Sequence, residues 1–158
     1  MDQSSSIKSS FQLIDYKIDQ INFSLTPETQ FLAEDHGNKL FDIEFMFRDP
    51  QKFIDNEETY YVNGIQMLLK VLVNEEVMAN GTFSISGLFK TTGEFSQDIE
   101  QRLVKEQIPA ILFPYLRAAV TNILASAGFG SAILPLVNIQ KMAGSLNLEI
   151  IEKKHDNK

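Results

Sequence analysis

The stretch Ile108–Ile139, IPAILFPYLRAAVTNILASAGFGSAILPLVNI, decides the fold. Phe113 precedes a proline, which biases it toward extended backbone, and Pro114 suits the first turn of a helix, so a helix is expected to begin near Pro114. Leu116, Val120, Ile123, Leu124 and Ala127 then recur at helical period and form one apolar stripe. The other side, Ala118, Ala119, Thr121, Asn122, Ala125 and Ser126, is small rather than charged. A helix with those two sides is expected to be packed on both. Gly128 stands where a left-handed stop costs least, and Pro135 beyond it prevents continuation.

Upstream of this helix the chain reads as sheet. Between Phe11 and Leu25 the apolar residues alternate but change phase twice: Phe11 and Leu13, then Ile14, Tyr16 and Ile18, then Ile21, Phe23 and Leu25. Alternation with slips predicts a bulged strand. Residues 26–38, TPETQFLAEDHGN, read as a crossing connection with Phe31 and Leu32 as its large apolar residues. Lys39–Arg48 alternates cleanly, Phe41, Ile43, Phe45 and Phe47 on one side and Asp42, Glu44 and Arg48 on the other, and is a strand. From Thr59 to Lys90 the pattern is again extended. Asn63-Gly64, Asn74-Glu75-Glu76 and Asn80-Gly81 are three places where it could turn, and either Asn-Gly pair could instead be a bulge within a long strand.

In that region one phase carries Tyr61, Ile65, Met67, Leu69, Val71 and Val73, and the other Tyr60, Val62, Leu68 and Leu72. A sheet apolar on both faces needs two covers. The helix supplies one, and a partner subunit, a bound polypeptide or the C-terminal segment supplies the other. Residues 91–105 carry Phe95, Ile99 and Leu103 at helical spacing and read as a short helix or turn. After Ile139, the spacing of Met142 and Leu146 around Gly144 reads as a weak helix or, from Leu146 on, a strand. Residues 1–10 are expected to be a disordered arm, 11–150 one domain and 151–158 a solvated tail. The fold class is α+β: an antiparallel sheet with one long helix and a short C-terminal helix or segment.

Composition narrows the function. Forty-four per cent of the residues are hydrophobic, and 21 acidic against 14 basic residues give a net charge of −7, which disfavours nucleic acid and anionic lipid as partners. No continuous run reaches the roughly 18 apolar residues of a membrane span, and MDQSSSIKSS is not a signal peptide, so a cytoplasmic protein without membrane insertion is expected. With no cysteine there are no disulfides, thiolate metal sites or cysteine nucleophiles. His36 and His155 lack metal-ligand spacing, GLFKTTG at 87–93 lacks the order of a phosphate loop, and Ser126, Ser131 and Ser145 lack a nucleophile-elbow context. Glu57-Glu58 and Glu75-Glu76 read as solubilising pairs or as a docking surface for a basic partner. No acid, base and nucleophile converge, so neither an enzyme nor a cofactor is expected.

ILFPYLRAAVTNILASAGF followed by LPLVNI resembles the signature of the SecB family of export chaperones, through Phe113, Pro114, Tyr115, Arg117, Gly128, Phe129, Pro135, Val137 and Asn138. The first strand and GTFSISG at 81–87 are similar to SecB in the same order. The resemblance implies an antiparallel subunit that assembles as a dimer of dimers, with Arg117, Ala118, Thr121, Asn122 and Ala125 at an oligomer interface. It also implies an ATP-independent holdase for unfolded or exported polypeptides, or a dedicated chaperone of a single client such as an antitoxin. A non-enzymatic scaffold protein with the same fold is the alternative from another class. The client groove is expected at Phe31, Leu32, Phe41, Phe129, Ile139, Met142 and Leu146. Two residues depart from the family pattern: Gly130 replaces a proline and Ile139 an aromatic. Gln20 and Ser24 are uncharged where the family contacts the SecA motor, which leaves Glu76 as the candidate docking residue.

Overall fold

The computed structural model describes residues 11–31, 39–93, 95–130 and 134–154. Among these residues six strands form one sheet: β1 (Phe11–Leu25), β2 (Lys39–Phe47), β3 (Gln51–Asp55), β4 (Glu58–Val73), β5 (Glu76–Thr91) and β6 (Ile151–Lys154). The order is β1-β5-β4-β3-β6, and β2 pairs with the other half of β4. All pairings are antiparallel except β3 with β6, which is parallel. The antiparallel expectation is therefore corrected at one edge, where residues expected to be tail extend the sheet.

β1 slips register between Leu13 and Asp15 and again between Ile18 and Gln20, at the two places where its apolar phase changes. A bulge leaves one residue unpaired and exchanges the faces beyond it, so Phe11, Ile18 and Phe23 all reach the core side. β4 and β5 form one long hairpin that turns at Asn74-Glu75; Asn63-Gly64 and Asn80-Gly81 lie within the strands. Asn74 and Glu75 both have positive φ, 51° and 67°, as a two-residue hairpin turn demands, and glutamate bears a steric cost there that glycine would not. Glu75→Gly is expected to raise stability by about 1 kcal/mol, read as a rise of roughly 2 to 4 °C in Tm.

The long helix runs Gln97–Phe129, not from Pro114. Ser96 caps it by accepting from the Ile99 amide, and the expected separate short helix at 91–105 becomes its first turns. Two prolines lie inside. Before Pro109, residues Leu103–Gln107 widen into a π turn in which the Ile108 amide bonds the Leu103 carbonyl, five residues back. That widening moves the preceding carbonyl away from the proline ring. The same pattern would pair the Val104 carbonyl with the nitrogen of residue 109, which in proline carries no hydrogen. Buried Asn63 supplies the donor instead, its Nδ2 giving a 3.0 Å hydrogen bond to that carbonyl. Pro114 lies on the exposed side of the helix, and Phe113, expected to be extended, is helical and buried. Gly128, at φ 96°, stops the helix where expected.

By length and composition this helix could cross a membrane; a continuous-run criterion misses it because polar residues interrupt the apolar stripe. The stripe is in fact packed on the sheet. Ile108, Leu112, Leu116, Val120 and Leu124 bury against Tyr61, Ile65, Met67, Leu69 and Val71 of β4 and Phe83, Ile85 and Phe89 of β5. Ile123 and Ala127 are only half-buried. After the helix the chain returns and forms the short helix Ile139–Gly144, capped by the Asn138 side chain, which accepts from the Lys141 amide. The short helix packs on the π turn and on the long helix, and residues 151–154 pair at the sheet edge, so the described part of the C-terminal segment does not cover the second face of the sheet.

Candidate functional site

Three surfaces are built from this arrangement. The first lies on the helix side of β2. Phe41, Ile43, Phe45 and Phe47 point toward the helix and are half-buried, as are Ile123 and Ala127 on the helix and Val137, Met142 and Ile150 on the returning chain. Phe45 meets Phe113 edge-to-face at 5.5 Å. Leu136 in the returning chain is 85% exposed. Together these residues form an apolar band that is neither sealed as core nor polar enough to rest in water.

The expected groove residues distribute unevenly along it. Leu32 falls outside the described residues, and of Phe31 only the backbone is described, in the 3-10 turn Pro27–Phe31. Phe41 is half-buried on β2. Phe129 is buried at the end of the helix, edge-on to Phe23 at 6.1 Å with the Lys39 ammonium over its ring. Ile139, Met142 and Leu146 lie toward the other end, about 33 Å away along the helix at its usual rise, where the short helix packs on the π turn. Ile139 is core at 3% exposed. Leu146 lines a hollow of about 400 Å³ with Asp98, Arg102, Lys105 and Glu106, a polar setting. These residues do not converge on one pocket. Ile43, Phe45, Phe47 and Val137 were not anticipated, although the alternation of β2 had already placed its three on the same side as Phe41.

The second surface is the outer side of the long helix. Ala118, Asn122 and Ala125 are exposed, while Arg117 and Thr121 are half-buried. The Arg117 guanidinium stacks over Phe113, and Thr121 Oγ1 donates to the Arg117 carbonyl. Tyr115 rests against Tyr16 of β1 at 4.4 Å. Only small side chains then stand proud along Ala118, Asn122 and Ala125, which permits close approach of another helix.

The third surface is the far face of the sheet, polar at its centre. Asp19 accepts from Ser84 Oγ at 2.6 Å and pairs with Arg48 at 3.2 Å. Burial tends to raise the Asp19 carboxyl, but hydrogen bonds from Ser84 and Arg48 outweigh it and hold it below its ordinary value. Gln66 Nε2 donates to Gln20, so Gln20 is engaged within the sheet. Ser24 is exposed on this face; Glu76, also exposed, is the first residue of β5 and stands opposite buried Val73 at the hairpin end, so it does not share the face of Ser24.

One polar network fastens the helix start to the sheet. Glu100 Oε2 accepts from Lys52 Nζ at 2.7 Å and from the Tyr61 hydroxyl at 2.6 Å, with the Lys52 and Glu100 side chains 23% and 19% exposed. Burial alone would raise the Glu100 carboxyl; the bonds from Lys52 and Tyr61 and the Lys52 charge hold it below its ordinary 4.5. Burial and the Glu100 bond push the Tyr61 phenol well above its ordinary range. A depressed carboxylate contributes stability above its unfolded value and loses it as pH falls through the folded one. Glu100→Gln is therefore expected to cost about 2 kcal/mol at pH 7, with the difference from the unsubstituted protein shrinking below about pH 4. Urea midpoints at pH 7 and pH 3 check it.

Among the described residues no group of three or more histidine, cysteine, aspartate and glutamate side chains could hold a metal ion; His36 and His155 lie outside those residues. No curated protein sequence matches the chain. Among solved structures it is similar to the SecB-like chaperone Rv1957 of Mycobacterium tuberculosis, solved with a ChAD peptide from the antitoxin HigA1. That similarity has 17% identity and a TM-score of 0.63, covering 80% of this chain and 90% of that one. A protein of unknown function from Streptococcus agalactiae matches at 16% identity and a TM-score of 0.42, over 80% of this chain and 97% of that one. The family model described as preprotein translocase subunit SecB matches residues 11–144. With that match spanning nearly the whole sheet, the long helix and the short one, the chain belongs to the SecB family.

Proposed function

We propose that this SecB-family chain is an ATP-independent holdase that keeps unfolded polypeptides from folding and aggregating. The observation that carries it is the half-buried apolar band along Phe41, Ile43, Phe45, Phe47, Ile123, Ala127 and Val137. Each large client side chain settled there contributes roughly 1.5 to 3 kcal/mol, so a single contact holds poorly. Several such bands on one assembly, engaging one long chain, bind tightly through effective concentration. Phenylalanine-rich surfaces accept varied partners, and affinity then comes without sequence specificity. The exposed small side chains Ala118, Asn122 and Ala125 supply the assembly surface, in a homotetramer. The setting is the cytoplasm, before export.

A narrower reading, a dedicated chaperone of one client such as an antitoxin, is favoured by two observations. The Mycobacterium tuberculosis relative is bound to an antitoxin peptide. In this chain Gln20 is neutral and bonded to Gln66, and Ser24 is neutral, which weakens the face on which SecA docking would depend.

The test is aggregation of a chemically denatured model protein diluted into buffer without nucleotide. Suppression at substoichiometric assembly is expected, with the mass of the assembly measured by light scattering with and without client. A stable monomer that leaves aggregation unchanged at equimolar ratio would sink the reading.

A further inference from the structure

The outer edges of β2 and β3 lie end to end along β4: Phe47 stands opposite Ile65 and Gln51 opposite Val62. Among the described residues no strand pairs on the outer edge of β2, whereas the outer edge of β3 is taken by β6. The chain arrives there as an extended, alternately apolar segment. Leu148 and Ile150 turn into the core side, at 8% exposed and half-buried, while Glu149 and Ile151 face out. The Glu149 amide donates to Asp49 Oδ1 at 3.0 Å and the Ile151 amide to the Pro50 carbonyl at 2.7 Å. Beyond that point the segment runs parallel to β3 for only four residues, Ile151 beside Gln51 through Lys154 beside Ile54, and all four are exposed. A short parallel strand with no buried side chain is held by its ladder alone, and such a strand is the first to leave a sheet.

We propose that the outer edge of β3 is a strand-accepting site for an extended, alternately apolar polypeptide, which the chain's own β6 occupies until a client displaces it. The seated segment shows the mode: a main-chain ladder along the β3 edge from Ile151 to Lys154, entered by an extended stretch in which alternate residues, Leu148 and Ile150, turn toward the core side. Leu148 and Ile150 stay anchored as β6 leaves, so the tethered strand competes at high effective concentration and returns when the client goes. The apparent affinity for a client is then reduced by the fraction of time the edge is open.

The inference rests on the holdase reading, and the experiment separates the two. The probe is a fluorescein-labelled, reduced and carboxymethylated model protein, titrated by anisotropy against the full chain. Because the chain has no cysteine, Ile54→Cys with Lys154→Cys, opposite each other in the ladder, introduces the only two thiols. Oxidation should lock β6 and weaken binding by about tenfold or more relative to the same protein after reduction. Deleting residues 151–158 should tighten binding, on the order of tenfold if β6 is home about nine-tenths of the time. Far-UV circular dichroism checks that the shortened chain folds; if it does not, the cross-linked pair decides alone. Equal affinity of the oxidised and reduced forms overturns the proposal, and so does failure of the thiols to cross-link. Absence of any binding by the unsubstituted chain overturns the holdase reading instead.

Discussion

Gly64→Ala is expected to destabilise the protein by about 3 kcal/mol, lowering Tm by roughly 6 to 12 °C at this size. A Cβ built on Gly64 stands 2.2 Å from the Ile85 carbonyl oxygen and 3.2 Å from the Ser86 Cα. Those atoms belong to the backbone of the neighbouring strand and cannot swing aside. Relief would require β4 and β5 to part where Ile65 and Ile85, both 0% exposed, pack beneath the helix. The same shift would disturb Asn63, whose Oδ1 accepts from the Gly64 amide at 2.7 Å while its Nδ2 serves the Val104 carbonyl. Gly144→Ala is the matched control. There the atoms nearest the added Cβ all belong to the Glu106 side chain, its carboxylate closest, a flexible group that can swing aside, so a change within about 0.5 kcal/mol is expected. If both substitutions prove equally mild in urea titrations, the close approach of β4 and β5 at Gly64 is not a constraint on the fold.

That position also marks where local reading of the sequence reaches its limit. Asn-Gly is a strong turn signal, yet at 63–64 it lies mid-strand because the asparagine side chain is needed some forty residues away. Pro109 and Pro114 likewise argue locally for a break. The helix continues through both because the π turn and Asn63 offset what Pro109 removes, and Pro114 sits on the exposed side. Such compensations depend on partners remote in sequence, and no periodicity announces them. What was legible lies where a pattern repeats within one element. The two phase changes of β1 located its bulges, the alternation of β2 named its core side, and the stripe from Leu116 to Leu124 named the buried side of the helix. The apolar band was half legible for the same reason. Its β2 residues follow from alternation, but Val137 lies in the returning chain at 134–138, which has no regular structure and no period to read. Ile139 shows the corresponding error: apolar spacing suggested a groove, and the short helix's packing made it core.

Leu112→Ala is expected to cost about 3 to 4 kcal/mol, and Gly87→Ala should return part of that loss. Leu112 is fully buried on the sheet side of the helix. A Cβ on Gly87 would lie 2.7 Å from one Leu112 δ carbon, 3.3 Å from the other and 3.0 Å from the Phe89 ring. These are side-chain atoms, unlike the carbonyl at Gly64, so Gly87→Ala alone forces a modest repacking worth about 1 kcal/mol. With Leu112 truncated, the same methyl enters the space its δ carbons left, and the overpacking becomes cavity filling. The double variant should therefore be more stable than Leu112→Ala alone by about 1 kcal/mol, a change of sign for one substitution between two backgrounds. Urea denaturation of all four proteins measures it. Because Gly87 belongs to β5 and Leu112 to the helix, the coupling reports contact between the two layers, and simple additivity would mean that the helix does not bear on the sheet at this point.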